Sequence, residues 1–445
     1  MNEFSPGPDM DADLSPWLER INTRQAVVGV VGLGYVGLPL AMEFAAAGFP
    51  VIGLDTDSAR VASINRGERC LGHFPPEAVP RFLAQGGRAT GDFAQIASCG
   101  AVLICVPTPL TRQREPDMSY IASAMDSIAG RLQRGALVIL ESTTWPGTTR
   151  EMVGSRLASR GWTIGRDLFV AYSPEREDPG NARYSTRSIP KVVGGMTASC
   201  LRLARALYDA AIGAGTVPVS SPEAAEAAKL LENIFRCVNI AMVNELKMVF
   251  DRMDIDIWEV VAAARTKPFG FMPFYPGPGL GGHCIPVDPF YLAWKAREFR
   301  CSTRFIELAG EINIAMPEYV VERLAGALNA RRKPLRDAQI LLLGLAYKKN
   351  IDDTRESPSL RLMELLEERG AVASYHDPHI PVAPDGKRQS VALTEESVAG
   401  YDAVLVATDH DGIDYGLVGR AARLVVDTRN AMAGVPGATA QIVKA

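Results

Sequence analysis

Gly32-Leu33-Gly34-Tyr35-Val36-Gly37 follows the β-branched run Ala26 to Val31 and opens an apolar helical pattern from Gly37 to Ala47. In a strand-turn-helix of this kind the first glycine permits the tight turn. The second lets a pyrophosphate approach the backbone, and the third lets helix and strand pack closely. The helix N-terminus offers amide donors and the positive end of its dipole to phosphate. A second strand, Pro50 to Leu54, ends at Asp55, 23 residues after Gly32. A carboxylate there accepts bonds from ribose hydroxyls and repels a 2′-phosphate, so the motif predicts NAD in preference to NADP.

The pattern continues on both sides of this unit. Ala101 to Val106 and Leu137 to Leu140 read as buried strands ending in polar turns, and Leu168 to Ala171 as another. Strands alternating with helical stretches predict βαβ units and a parallel sheet. From Pro222 to about Arg252 the chain reads as one long helix, followed by a Gly/Pro-dense loop from Pro273 to Pro289. A second helical pattern runs from about Phe290 to Ala330. Strands then resume at Ala338 to Leu343, Ala371 to Tyr375, Ala403 to Ala407 and Leu424 to Val426, with a helix at Ser359 to Arg369. The expected fold class is α/β, with two Rossmann-like doubly wound domains joined by a central helical domain with a long connecting helix. The expected boundaries are a loose or partly helical polar lead-in over 1–24, then domains at 25–215, 216–330 and 331–445. The last unit lacks a clean G-x-G-x-x-G and need not bind a dinucleotide.

At 445 residues, 47% hydrophobic and 22% charged, the chain has the makeup of a multidomain globular protein. A net charge of −4 gives no basic footprint for nucleic acid. An anionic ligand must therefore be met by helix N-termini and chosen Lys or Arg. Seven cysteines without paired C-x-x-C spacing form neither a disulfide framework nor an evident zinc site, so no metal is expected. No basic-then-apolar leader and no stretch of about 20 apolar residues occurs, so a cytoplasmic protein that does not span a membrane is expected.

Cys284 lies in Gly279-Leu280-Gly281-Gly282-His283-Cys284-Ile285-Pro286-Val287-Asp288. Glycines this dense cost backbone entropy and suggest close approach of the chain to a ligand. Cys70, Cys99, Cys105, Cys200, Cys237 and Cys301 sit in contexts typical of small buried hydrophobes. Cys284 is the candidate nucleophile, with Asp288 four residues on. Lys229 and Asn233 share a face of the long helix, which Glu226 and Arg236 also join. That face reads as an oxyanion-stabilising pair or as a solvated stripe. Glu141 and Thr143 end a strand where open α/β folds bind ligands, or make a simple turn. Ser173-Pro174-Glu175-Arg176 holds two opposite charges near the same edge, as a site or as a surface ion pair. A nicotinamide site, a thiol and a Lys/Asn pair together suit an oxidation that passes through a thioester.

The chain resembles the nucleotide-sugar 6-dehydrogenases from about Val27 to Asn430. The resemblance rests on Gly32-Leu33-Gly34-Tyr35-Val36-Gly37-Leu38-Pro39, Val106-Pro107-Thr108-Pro109, Glu141-Ser142-Thr143, Ser173-Pro174-Glu175-Arg176 and Gly281-Gly282-His283-Cys284. Gly344-Leu345-Ala346-Tyr347-Lys348 and Asp353-Thr354-Arg355-Glu356-Ser357-Pro358 add to it. It implies conversion of the C6 alcohol of a UDP-sugar to a carboxylate with two NAD, in a homodimer or dimer-based oligomer. Cys284 would be the nucleophile of the second oxidation, and Lys229 and Asn233 would stabilise the alkoxide and oxyanions. Asp288, Thr143 and Glu175 would hold or activate water. NAD would meet Gly32, Gly34, Tyr35, Val36, Gly37, Asp55, Pro107, Thr108 and Thr143. The UDP-sugar would meet Glu175, Arg176, Lys229, Asn233, Tyr275, Gly281, Lys348 and Arg355.

Val287 stands where the UDP-glucose branch usually has Lys, and this and the segment Pro174-Glu175-Arg176-Glu177-Asp178-Pro179-Gly180 resemble the N-acetylhexosamine branch. Glu177 is a candidate replacement for the second family glutamate of the UDP-glucose branch. N-acetylmannosamine enzymes typically have Ala, and N-acetylgalactosamine-type enzymes often Gly, where Pro286 stands. UDP-N-acetylglucosamine is thus the expected substrate, with surface-polysaccharide synthesis the expected use. The alternatives are UDP-glucose, UDP-N-acetylmannosamine or UDP-N-acetylgalactosamine as substrate, a two-electron dehydrogenase, and a non-catalytic NAD- or UDP-sugar-binding protein.

Overall fold

A computed structural model describes residues 13–70, 74–111, 115–176, 184, 186–282 and 285–445. The described residues fall into two compact units, one within Met1–Glu232 and Trp294–Cys301, the other within Asn233–Ala293 and Ser302–Ala445.

The first unit is built on strands β1 (Val28–Val31), β2 (Val51–Leu54), β3 (Arg88–Thr90), β4 (Ala101–Ile104), β5 (Leu137–Leu140), β6 (Phe169–Tyr172), β7 (Lys191–Gly195) and β8 (Thr216–Val219). Their order is β3-β2-β1-β4-β5-β6-β7-β8, parallel except for β6 against β7. The order reverses between β1 and β4, the crevice where doubly wound sheets bind ligands. The continuous apolar runs are explained by burial on both faces. Val28, Val30, Leu103 and Ile139 enter one core, while Val31, Val102, Ile104 and Val138 enter the other. The lead-in expectation needs sharpening, because Ser15–Asn22 is a helix docked on this unit. Ile21 is fully buried, and a side chain at Gly100 or Gly135 would strike Trp17.

The second unit carries β9 (Gln339–Leu343), β10 (Val372–His376), β11 (Ala403–Val406), β12 (Leu424–Asp427) and β13 (Gln441–Lys444), all parallel in the order β10-β9-β11-β12-β13. Again the apolar run divides by alternation, Ile340 and Leu342 into one core, Leu341 and Leu343 into another. The long helix spans Pro222–Arg252 as expected and passes from the first unit's sequence into the second's.

Several elements differ from expectation. The helical pattern from Phe290 to Ala330 is two helices, Asp288–Glu298 and Arg304–Ala330, because Arg300 takes a left-handed φ of 58° that ends the first. Leu424–Asp427 is not the last strand, since β13 pairs with it. A short helix, Ile257–Ala264, begins at Asp256, whose carboxylate accepts from the Trp258 amide. Cys301 is exposed, contrary to the buried reading, since it follows that helix break; Cys99, Cys105, Cys200 and Cys237 are buried.

Candidate active site

In the first unit the glycine turn is fitted to its neighbours at two of its three glycines. Gly32 has φ 91°, and a Cβ on it would lie 2.8 Å from the Cys105 carbonyl oxygen. A Cβ on Gly37 would lie 1.8 Å from the Gly32 oxygen, so only glycine lets the helix start there. Gly34 differs, for nothing lies within 4 Å of its missing Cβ. Its backbone is therefore open to approach, the condition a pyrophosphate needs. Asp55 is buried and holds this turn, accepting from Leu33 N at 2.8 Å and Asp57 N at 2.9 Å, with Arg60 Nη1 at 3.5 Å. These residues fit a dinucleotide.

The turns after β4 and β5 are tied to each other. Thr108 Oγ1 donates to the Thr143 carbonyl at 2.8 Å, and Ser142 Oγ donates to the Val106 carbonyl at 2.7 Å. The structure thus brings Pro107-Thr108 and Thr143 together at the carboxyl ends of these strands. Below them is a charge cluster that the sequence did not reveal. Lys191 Nζ lies 2.6 Å from Glu141 Oε2, donates to the Pro174 carbonyl at 3.0 Å, and is 3.7 Å from Glu175 Oε2. Tyr208 OH donates to Glu141 Oε1. Burial pushes the Glu141 carboxyl up to about 7, against the pull of Lys191. Arg176 is ion-paired with Glu232 at 2.7 Å. One signal was present, a lone lysine heading the apolar strand Lys191–Gly195.

The solvated-stripe reading of the long helix fails at its first two members. Glu226 is fully buried, accepting from Gly147 N at 2.6 Å and from Thr149 N and Oγ1 at 2.8 and 2.7 Å. Burial pushes its carboxyl up to about 7 despite these donors. Lys229, one turn on, is also buried, while Arg236 is exposed. Glu226 therefore fixes the helix carrying Lys229 to the segment that follows Thr143.

In the second unit Asn233 Nδ2 donates to Asp288 Oδ2 at 2.5 Å, joining two predicted site residues 55 positions apart. Asp288 is buried. Cys284, together with His283, lies outside the described residues, as does Glu177. The glycines beside Cys284 have a packing reason that sequence reading did not supply. A Cβ on Gly281 would lie 2.4 Å from Tyr347 Cβ, and one on Gly282 would lie 2.9 Å from the Tyr347 ring. Gly282 N also donates to the Arg355 carbonyl at 3.0 Å. The Gly281-Gly282 segment is thus pressed on the loop carrying Lys348 and Arg355. Arg355 is held by Asp353, with Nη2 at 2.6 Å from its carboxylate, and Lys348 is half-buried.

Upstream, Asn244 Oδ1 accepts from Gly277 N at 3.0 Å, and a side chain at Gly277 would strike the Arg429 guanidinium. Tyr275 stacks on Trp258 at 5.5 Å, half-exposed and bonded to none of the other predicted residues among the contacts described here. The turn after β9 mimics the first unit's, with Asp377 in the place of Asp55. There, however, Asp377 accepts from Leu345, Ala346, His379 and Ile380 amides and lies 3.0 Å from His410 Nε2. Its carboxylate is thus taken up by groups of the same unit.

Three segments of the chain match the UDP-glucose/GDP-mannose dehydrogenase family: its NAD binding domain over residues 26–212, its central domain over 223–315 and its UDP binding domain over 341–434. A UDP-N-acetyl-D-glucosamine 6-dehydrogenase of Pseudomonas aeruginosa is 37% identical over 385 residues, 86% of this chain and 90% of that one. An NDP-N-acetyl-D-galactosaminuronic acid dehydrogenase of Ralstonia nicotianae is 36% identical over 416 residues, 90% and 95% of the two chains. The solved structure of a UDP-D-ManNAc dehydrogenase from Pyrococcus horikoshii superposes with a TM-score of 0.86 at 32% identity, covering 94% of this chain and 98% of that one.

Proposed function

The chain belongs to the UDP-glucose/GDP-mannose dehydrogenase family as an NAD-dependent dehydrogenase of UDP-sugars, and we propose that it oxidises C6 of UDP-N-acetyl-D-glucosamine to the carboxylate. The observation that supports the mechanism most is the bond between Asn233 and Asp288, which joins the long helix to the first residue of the helix Asp288–Glu298, four positions after Cys284 in sequence. Gly32, Gly34, Gly37 and Asp55 would hold NAD, with Tyr35, Val36, Pro107, Thr108 and Thr143 beside it. Bound there, NAD would supply the hydride acceptor for the two oxidations that take C6 from the alcohol through the aldehyde level to the acid.

The chain's own groups divide the remaining work. Lys229 and Asn233 stabilise negative charge on O6, first as the alcohol proton leaves and again when the carbonyl is attacked. Thr143, Glu175 and Asp288 hold the water that takes the first proton. The Cys284 thiolate adds to the aldehyde carbon, and the resulting thiohemiacetal is carried to the thioester. Water then cleaves the C–S bond, delivering oxygen to carbon and a proton to sulfur. Arg176, Tyr275, Gly281, Lys348 and Arg355 serve the nucleotide sugar.

Pro286 and Val287 in the Cys284 loop support N-acetylglucosamine over its epimers and over glucose, as does the relative at 37% identity. Offered UDP-N-acetylglucosamine, its manno and galacto epimers and UDP-glucose separately, the enzyme is expected to show its highest kcat/KM with the first. A higher value for the manno epimer would move the assignment to that sugar and leave the chemistry intact.

The second unit leaves Phe235, Met242, Val249, Phe305 and Leu308 exposed along its two long helices, an apolar surface that supports a homodimer. A 48.0 kDa particle in dilute light scattering would contradict it. A cytoplasmic setting and a use in surface-polysaccharide synthesis complete this reading.

A further inference from the structure

We infer that Lys191 is a positioning residue for Glu175, its buried ammonium shared between that carboxylate and Glu141. The inference rests on the reading of Glu175 as a holder and acceptor for the reacting water. It begins with a strand in the wrong place for a lysine. β7 is buried throughout, and Lys191 at its head is 2% exposed. Taking an ammonium out of water is costly, and an apolar side chain of similar volume would fill the space without that cost.

The geometry shows what the charge faces. From β5 comes Glu141, 2.6 Å away, whose other oxygen is already served by the Tyr208 hydroxyl of the helix Ala198–Asp209. After β6 come the Pro174 carbonyl at 3.0 Å and Glu175 Oε2 at 3.7 Å. After β4 comes Cys105, whose thiol burial keeps neutral. A pair kept only for packing needs one carboxylate, and this ammonium has two. Glu141 is wholly buried and cannot reach a substrate in solvent, whereas Glu175 is partly exposed.

The backbone is held as well as the charge. Arg176 Nη1 donates to the Pro190 carbonyl at 2.8 Å, so residues 174–176 are pinned to the start of β7 by two bonds, one from each side. Arg176 N in turn donates to Glu175 Oε1 at 2.7 Å, which leaves Oε2 as the oxygen turned to Lys191. Titration agrees with this sharing. Burial lowers the Lys191 ammonium, but the charges of Glu141 and Glu175 outweigh it and raise it.

The test is the pH profile of kcat for Lys191→Met, Lys191→Arg, Glu141→Gln and Glu175→Gln, each checked for wild-type-like thermal unfolding. Removing an opposite charge within about 4 Å of a carboxylate is expected to move the acidic limb of Lys191→Met upward by roughly one to three pH units. kcat should fall more than KM rises, and Lys191→Arg should restore the limb. A folded Lys191→Met whose acidic limb stays at the wild-type pH overturns the inference. Should Lys191→Met fail to fold, Glu141→Gln takes its place, because it frees the ammonium for Glu175 at nearly constant shape. Its acidic limb is expected to move to lower pH, and an unmoved limb overturns the inference. Wild-type rate and limb in Glu175→Gln would overturn the water-holding role itself, and the inference with it. A slow Glu175→Gln beside an unmoved Lys191→Met overturns the inference alone.

Discussion

Cys284→Ser is expected to carry out the first oxidation and then stop, with acid formation reduced by at least about 1000-fold, or ~4 kcal/mol in barrier. The argument is one of nucleophile strength. A thiol with an ordinary pKa near 8.5 is a few per cent thiolate at neutral pH and intrinsically reactive, so it captures the aldehyde before it leaves. A serine hydroxyl at the same place stays protonated, and its reactivity would depend on a base acting on it. Fewer than two NADH should form per sugar, and a trapping amine should intercept the aldehyde. A Cys284→Ser variant that makes acid at the wild-type rate would remove the thioester from the mechanism.

Lys229→Met should lower kcat by about 100- to 1000-fold, equivalent to about 2.7–4 kcal/mol of lost oxyanion stabilisation. The side chain is buried, and its helix is fixed by Glu226, so its charge is preorganised before substrate arrives. Methionine keeps much of the volume and removes only the charge. The effect should therefore fall on kcat, with KM for the UDP-sugar and the melting temperature near wild-type values. A loss of less than tenfold in kcat would mean that another group meets the developing charge on O6.

Both predictions concern residues that the sequence picked out, and the reason lies in how local their signals are. Gly32, Gly34, Gly37 and Asp55 fall within 24 residues, and Gly32 and Gly37 answer to atoms of the same turn or of the end of the adjoining strand. Most strands buried on two faces were visible as continuous apolar runs, but β7, headed by Lys191 and ending in Gly194-Gly195, was not. Of the edge strands only β10 was visible; β3, β8 and β13 were not. β8 has its middle residues exposed and contains Pro218, which a strand tolerates at few places besides an edge, and β13 is four residues long with Gln441 and Lys444 at its ends. The break near Arg300 was hidden because Arg297 to Thr303 contains neither Gly nor Pro. It depends on one arginine taking a left-handed φ.

The candidate site divides along the same line. Lys229 and Asn233 could be paired from their spacing on a helix. Asn233 with Asp288, Lys191 with Glu141, and Glu226 with Thr149 are joined across 55, 50 and 77 positions by the fold alone. The glycines around Cys284 misled in a useful way. They signalled a tight approach, and at Gly281 and Gly282 the approaching group is Tyr347.

The central claim is a four-electron oxidation held on one enzyme, and the most direct test is the NADH formed per UDP-N-acetylglucosamine consumed at completion. The account predicts two NADH and one carboxylate for each sugar, with no free aldehyde. One NADH per sugar, with aldehyde or ketone as the product, would contradict it.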